Sequence, residues 1–87
     1  MNEIDEIKKN LNIGKLLVGA NQTLKNLKQG RISKIFLASN CKDALRKDVE
    51  YYASFDSIPI VQLTIPNDEL GVLTKHHFSI SVLSLLK

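Results

Sequence analysis

This chain of 87 residues has one cysteine, Cys41, two prolines and four glycines. A single thiol excludes an internal disulfide, and a reducing cytoplasm is the natural setting for such a chain. Together with the adjacent His76 and His77, that thiol cannot supply a four-ligand zinc site at the usual spacings. No apolar run approaches the ~20 residues that a membrane helix needs. The opening Met1-Asn2-Glu3-Ile4-Asp5-Glu6 is acidic and lacks the basic and apolar regions of a secretion signal. There is no Gly-rich phosphate loop, nucleophile elbow or metal-binding cluster, so the expectation is a protein with no cofactor, no small-molecule substrate and no catalysis. Internal repeats, linkers and low-complexity tracts are missing too, and the length leaves little room for a second core: residues 1–87 read as one domain.

What the chain does have is an uneven distribution of charge. From Lys8 to Lys47 there are 10 Lys/Arg and one acid, Asp43, a net of +9. The remaining residues carry 2 bases and 8 acids, a net of −6, so the overall +3 conceals a basic region about half the chain long. Such a region attracts phosphates by Coulomb steering and counterion release. A solvated lysine surface is the plain alternative.

Hydrophobic periodicity divides the chain into alternating helices and strands. Ile4, Ile7 and Leu11 stand at helical spacing over residues 3–11, with acids in the first turn where the helix dipole favours them. Lys15–Val18 reads as a short strand between Gly14 and Gly19. Residues 20–29 return to helical period, with Ala20, Leu24 and Leu27 on one side and Gly30 as a stop. The apolar run Ile35–Ala38 has the look of a strand covered on both faces. Asp43 opens a helix whose buried stripe is Leu45, Val49, Tyr52 and Ala53. Ile58–Leu63 is a third strand, in which Pro59 suits a strand start or an edge. Pro66–Glu69 leads into a short helix that carries Leu70 and Leu73 inward. Phe78–Val82 alternates with period two and is expected to be the fourth strand, its serines facing either a close helix or water. This alternation implies an α/β layer structure.

Within the basic half, Asn21, Lys25 and Lys28 fall at i, i+4 and i+7 and share a helix face opposite the leucines. Gly19 permits close backbone approach to the start of that helix, whose free N–H groups and positive dipole end suit a phosphate. An amide beside two ammonium groups can read a base edge and hold a backbone. A capped surface helix gives the same pattern. Ala38-Ser39-Asn40-Cys41 follows a strand at its carboxyl end, where ligand-binding loops gather; Asn40 there either meets a base or builds an Asx turn, and by itself the segment favours the turn. Arg46 and Lys47 are either phosphate contacts or ordinary helix surface. Cys41 reads as an inert small residue, and His76-His77 as a polar loop.

Taken in order, several short segments resemble one family. These are Gly14-Lys15-Leu16-Leu17-Val18-Gly19, Thr23-Leu24-Lys25, Gly30, Lys34-Ile35, Ala38-Ser39-Asn40-Cys41, Asp48-Val49-Glu50-Tyr51-Tyr52-Ala53, Ile58-Pro59, Glu69-Leu70-Gly71 and Phe78-Ser79-Ile80-Ser81-Val82-Leu83. At nearly fixed spacing over roughly residues 13–86, they resemble the large-subunit ribosomal protein family L-thirty-e of archaea and eukaryotes, the archaeal branch most. The resemblance implies a three-layer α/β/α sandwich around a four-stranded mixed sheet. It also implies a structural role on the cytoplasmic ribosome, with large-subunit ribosomal RNA and neighbouring ribosomal proteins as partners. The RNA element implied is a kink-turn, a bend built on sheared G·A pairs. Carried over by position, Gly19, Asn21, Gln22 and Lys25 form a first contact region, Asn40 and Arg46 a second, and Phe78 a third. The chain departs from the family pattern at Lys75-His76, where a Gly followed by Lys or Arg is usual; a stiffer loop with a more pH-dependent charge is expected. The acidic Pro-Gly-rich tail common after the last strand is also missing. Two further readings stand beside this one: the sister L-seven-Ae type of kink-turn binder from guide-RNA particles, and a protein–protein module on the same fold. The first typically has Asn-Glu where this chain has Asn21-Gln22. The second would call for an acidic face where residues 8–47 are basic.

Overall fold

A computed structural model describes residues 3–87. Met1 and Asn2, which open the acidic N-terminal segment and the expected 1–87 domain, lie outside the described residues. The order of elements is α1 (Glu3–Ile13), β1 (Leu16–Val18), α2 (Ala20–Lys28), β2 (Ile32–Leu37), α3 (Asp43–Ser54), β3 (Ile60–Gln62), α4 (Asn67–Leu73) and β4 (Val82–Leu86). The strands form one sheet in the order β1-β4-β2-β3. β4 runs antiparallel to both β1 and β2, while β2 and β3 are parallel, so the sheet is mixed.

Each face of the sheet buries its own apolar cluster. Ile7 of α1 and Leu70 of α4 pack with Phe36, Ala38, Leu83 and Leu85 on one side. Leu27 of α2, with Val49 and Ala53 of α3, packs with Ile35, Leu37 and Val82 on the other. The result is the expected α/β/α sandwich. Side-chain alternation in β4 serves both clusters at once: Leu83 and Leu85 go one way, Val82 and Leu86 the other. In β2 the alternation carries a fault. Ile32 belongs to the same cluster as Ile35 and Leu37 although its parity is even, because the β2–β4 register shifts between Ile32 and Lys34. A bulge at Ser33 re-aims the strand start.

Helix α2 is set closely on the sheet. Its Thr23 hydroxyl and the Ser84 hydroxyl of β4 lie 2.9 Å apart, both fully buried, which satisfies each polar group at the point of contact. Gly30 ends the helix as anticipated: its N–H donates to the Leu27 carbonyl at 3.1 Å and the Arg31 N–H to the Asn26 carbonyl at 3.0 Å. Pro59 precedes β3, which lies at the sheet edge and pairs only with β2.

The fourth strand corrects the sequence reading. It spans Val82–Leu86 rather than Phe78–Val82. The Ile80 N–H turns away from the sheet and donates to the Asn67 carbonyl at 3.0 Å, while the Ser81 carbonyl, accepting from the Ala38 N–H at 2.9 Å, extends the β2–β4 ladder by one bond. The strand itself is an apolar run buried on both faces, so it shows no period of two in polarity. Phe78, Ile80 and Val82 accordingly do not share a face: Phe78 is 56% exposed, while Ile80 and Val82 are buried in opposite clusters. The hydroxyl facing a close helix is that of Ser84, not of Ser79 or Ser81.

Candidate nucleic-acid interface

The three segments singled out in the sequence meet at one end of the sheet. β1 and β2 run towards this end and β4 starts from it, because β4 is antiparallel to both. The Gly19 N–H donates to the Val82 carbonyl at 2.9 Å, fastening the start of α2 to the start of β4. Ser39 in the loop after β2 donates its N–H to the Ile65 carbonyl at 2.8 Å, just ahead of α4. The loops are therefore laced together through backbone groups.

Gly19 is the N-cap of α2, with φ 98° and ψ 158°. That combination is essentially restricted to glycine. No side-chain hydrogen bond caps this helix, and its first turn holds no acid. The positive dipole end consequently has no carboxylate within its own first turn, and Asn21 and Gln22 stand exposed there. Lys25 is exposed on the following turn. Lys28, also exposed, places its Nζ 4.9 Å from the centre of the Tyr52 ring of α3, a cation–π contact that tethers it over the neighbouring helix.

Asn40 is built into a reciprocal pair rather than a local Asx turn. The Asn67 N–H donates to Asn40 Oδ1 at 2.8 Å, and Asn40 Nδ2 donates to Asn67 Oδ1 at 3.2 Å. The side chain thus caps α4 across a separation that no sequence window reveals. It remains exposed, and its amide plane is held in place. Sequence reasoning missed Asn67, which it read only as a helix entry. It also missed Lys42, exposed at the N-cap position of α3 next to the Asn40 loop. Arg46 is half-buried, and its Nε is buried with no hydrogen-bond partner among the described residues. Lys47 beside it is exposed. Burial pushes the Cys41 thiol upward, with Arg46 offsetting part of that, so the buried thiol is no activated nucleophile.

Phe78 lies in the segment between α4 and β4 with its ring exposed, edge-on to His76 at 5.1 Å between centres. Its carbonyl sits against Gly71 of α4, where any Cβ would collide with it. The small residue thereby lets this segment lie flat on α4. Lys75 takes φ 63°, a left-handed conformation that costs a non-glycine residue roughly 1–2 kcal/mol. It closes α4 as a glycine would: its N–H donates to the Val72 carbonyl at 3.0 Å and the His76 N–H to the Gly71 carbonyl at 2.9 Å.

The basic half of the chain does not all face this site. Lys34 reaches across to the other layer, where its Nζ lies 2.7 Å from Glu6 and 5.4 Å from the centre of the Phe36 ring. Lys8 and Lys9 are on α1.

Comparisons with known proteins agree with this architecture. Residues 3–87 match the ribosomal protein L7Ae/L30e/S12e/Gadd45 family. Large ribosomal subunit protein eL30 of Trypanosoma brucei brucei is 35% identical over 72 residues, which cover 83% of this chain and 69% of that protein. Its counterpart in Methanocaldococcus jannaschii is 36% identical over 73 residues, 84% of this chain and 66% of the relative. For Sulfurisphaera tokodaii the identity is 32% over 81 residues, 93% of this chain and 76% of the relative. Among solved structures, the 15.5kD RNA binding protein of Giardia lamblia superposes with a TM-score of 0.78 at 20% identity, covering 97% of this chain and 70% of the other. A Bacillus halodurans protein of unknown function superposes with a TM-score of 0.86 at 18% identity, covering 97% and 83%. At those identities the two structures bear on the fold. By its match along residues 3–87 and by these relatives, the chain belongs to the ribosomal protein L7Ae/L30e/S12e/Gadd45 family.

Proposed function

We propose that this chain is a structural, non-catalytic RNA-binding protein of the large ribosomal subunit in the cytoplasm. Its residues 1–87 act as one domain that grips a kink-turn in ribosomal RNA beside neighbouring ribosomal proteins. The observation that carries the reading is the meeting, at one sheet end, of an uncapped helix start, a fixed amide and an exposed ring. The N-terminus of α2, without a side-chain cap or an acid in its first turn, suits a phosphate. Asn40, its amide plane held by Asn67, offers fixed donor and acceptor groups to an exposed base edge. Phe78 presents an aromatic face for stacking on a splayed base. Gly19, Asn21, Gln22 and Lys25 line the approach along α2, with Lys28, Arg46 and Lys47 adding positive charge around it. The naming of the eL30 relatives as large-subunit proteins supports the ribosomal part of the assignment.

The test is the fate of the tagged chain in a cell lysate resolved on a sucrose gradient. Co-sedimentation with large ribosomal subunits is the expected result. Association with small guide-RNA particles instead would favour the sister type of kink-turn binder, and absence from every RNA-containing fraction would favour a protein–protein module.

A further inference from the structure

Helix α2 has a second basic feature, which runs from its middle to the end away from Gly19. A groove of about 620 Å³ opens between the end of α2 and the ends of β1 and β4. Lys25, Arg31 and Lys87 line it with the amides of Gln22 and Gln29, over an apolar floor that includes Leu17. No acidic side chain contributes to the lining, and none of the three cationic side chains forms an ion pair among the described residues.

The backbone under these cations is fixed. Arg31 N–H donates to the Asn26 carbonyl at 3.0 Å, closing α2, and Lys87 N–H donates to the Arg31 carbonyl at 2.9 Å. Two long cationic side chains therefore spring from adjacent, hydrogen-bonded points and share one opening. Gln22 and Lys25 belong both to this groove and to the face of α2 assigned to RNA, so the two surfaces are continuous. At 1.5 Å per residue the nine-residue helix is about 13 Å long, a span that one RNA segment follows without a break.

We propose that this groove holds the phosphodiester backbone of the RNA segment flanking the kink, so that α2 is clamped by RNA at both ends. The groove's cations carry the contact and its amides add donors to phosphate or ribose oxygens, a mode that positions RNA without reading its sequence. The proposal rests on the RNA-binding reading above and extends it to residues outside the family's contact regions.

Two RNAs test it: a minimal kink-turn stem-loop, and the same kink-turn with its flanking helices each lengthened by one helical turn. The proteins are the full chain, a groove variant (Arg31→Glu with Lys87→Glu) and a control (Lys8→Glu with Lys9→Glu) that makes the same charge change on α1. Thermal melts establish that all three are folded. The wild type is expected to bind the lengthened RNA about tenfold more tightly than the minimal one at low salt. The groove variant should lose that increment while binding the minimal RNA as the control does. An unchanged increment in the groove variant overturns the proposal, and so does an equal loss on both RNAs beyond the control's loss. Failure of the wild type to prefer either kink-turn RNA over a plain duplex overturns instead the reading on which the proposal rests.

Discussion

Helices α1 and α2 lie on opposite faces of one sheet, each amphipathic and each anchored by a buried aliphatic residue, Ile7 in α1 and Leu27 in α2. They differ in what they do with charge. α1 places Glu3, Asp5 and Glu6 in its first turn, where they complement the helix dipole, and Glu6 pairs with Lys34 across to β2. Its electrostatics are settled within the protein. α2 has no acid in its first turn, no side-chain cap and a glycine where a capping residue would normally stand, and its lysines fall in the last turn. The difference teaches that basic composition is not the binding signal by itself. Lys8, Lys9 and Lys34 belong to the basic half of the chain yet sit on, or are tied to, the α1 layer. The α2 cations stand on the exposed side of a helix whose start, about two turns away, carries no acid in its first turn.

The largest effect expected from breaking this comparison is on stability, and it should be the same for both helices. Ile7→Ala and Leu27→Ala each remove a buried aliphatic side chain and should cost about 2–5 kcal/mol in denaturant unfolding. Affinity for RNA per folded molecule should hold for Ile7→Ala. It should fall for Leu27→Ala, because only α2 then shifts against its ligand.

Changes at the ends of the site come next. Asn40→Ala should reduce kink-turn affinity by roughly 1–3 kcal/mol while barely affecting a plain duplex. It should also cost about 1 kcal/mol of stability, since the α4 cap goes with it. Equal losses on both RNAs would show that the amide only shapes the loop. Phe78→Leu should leave the melting temperature nearly unchanged, as befits an exposed ring, and weaken kink-turn binding by about 1–3 kcal/mol in a filter-binding assay. A large fall in melting temperature with normal affinity would reassign the ring to the core.

Single charges sharpen the contrast further. Lys25→Ala should lower affinity for kink-turn and duplex alike and reduce the slope of log affinity against log salt by about 1. Lys9→Ala on α1 should leave that slope close to the wild-type value. The smallest effect belongs to Glu6→Gln, which breaks a half-exposed ion pair. It should cost about 0.2–1 kcal/mol of stability, disappearing at high salt, with RNA affinity intact.

Much of this arrangement was legible in the residues because it is local. Helix periods, the Gly30 stop and the two-sided apolar run of β2 are all written within a turn or a strand. What was not legible depends on distant partners. Asn40 looked like a turn former because its partner, Asn67, is 27 residues away. The last strand was placed too early because Phe78–Val82 alternates in polarity, while the true strand, Val82–Leu86, is buried on both faces and does not. Lys75-His76, where a glycine is expected, suggests a stiffer loop. Lys75 nonetheless adopts the left-handed geometry of a helix-closing glycine, held there by hydrogen bonds to α4.

The sheet end bearing Gly19, Asn40 and Phe78 is proposed to recognise a bent RNA rather than polyanions in general. Equilibrium titration of the wild-type chain with a kink-turn RNA and with an uninterrupted duplex of equal length, repeated over a salt series, tests it most directly. Affinity for both should fall with salt at about 0.7–0.9 logarithmic units per phosphate contact per decade, with the kink-turn preferred at every salt concentration. Equal affinities for the two RNAs across the series, or a response flat in salt, would contradict the account.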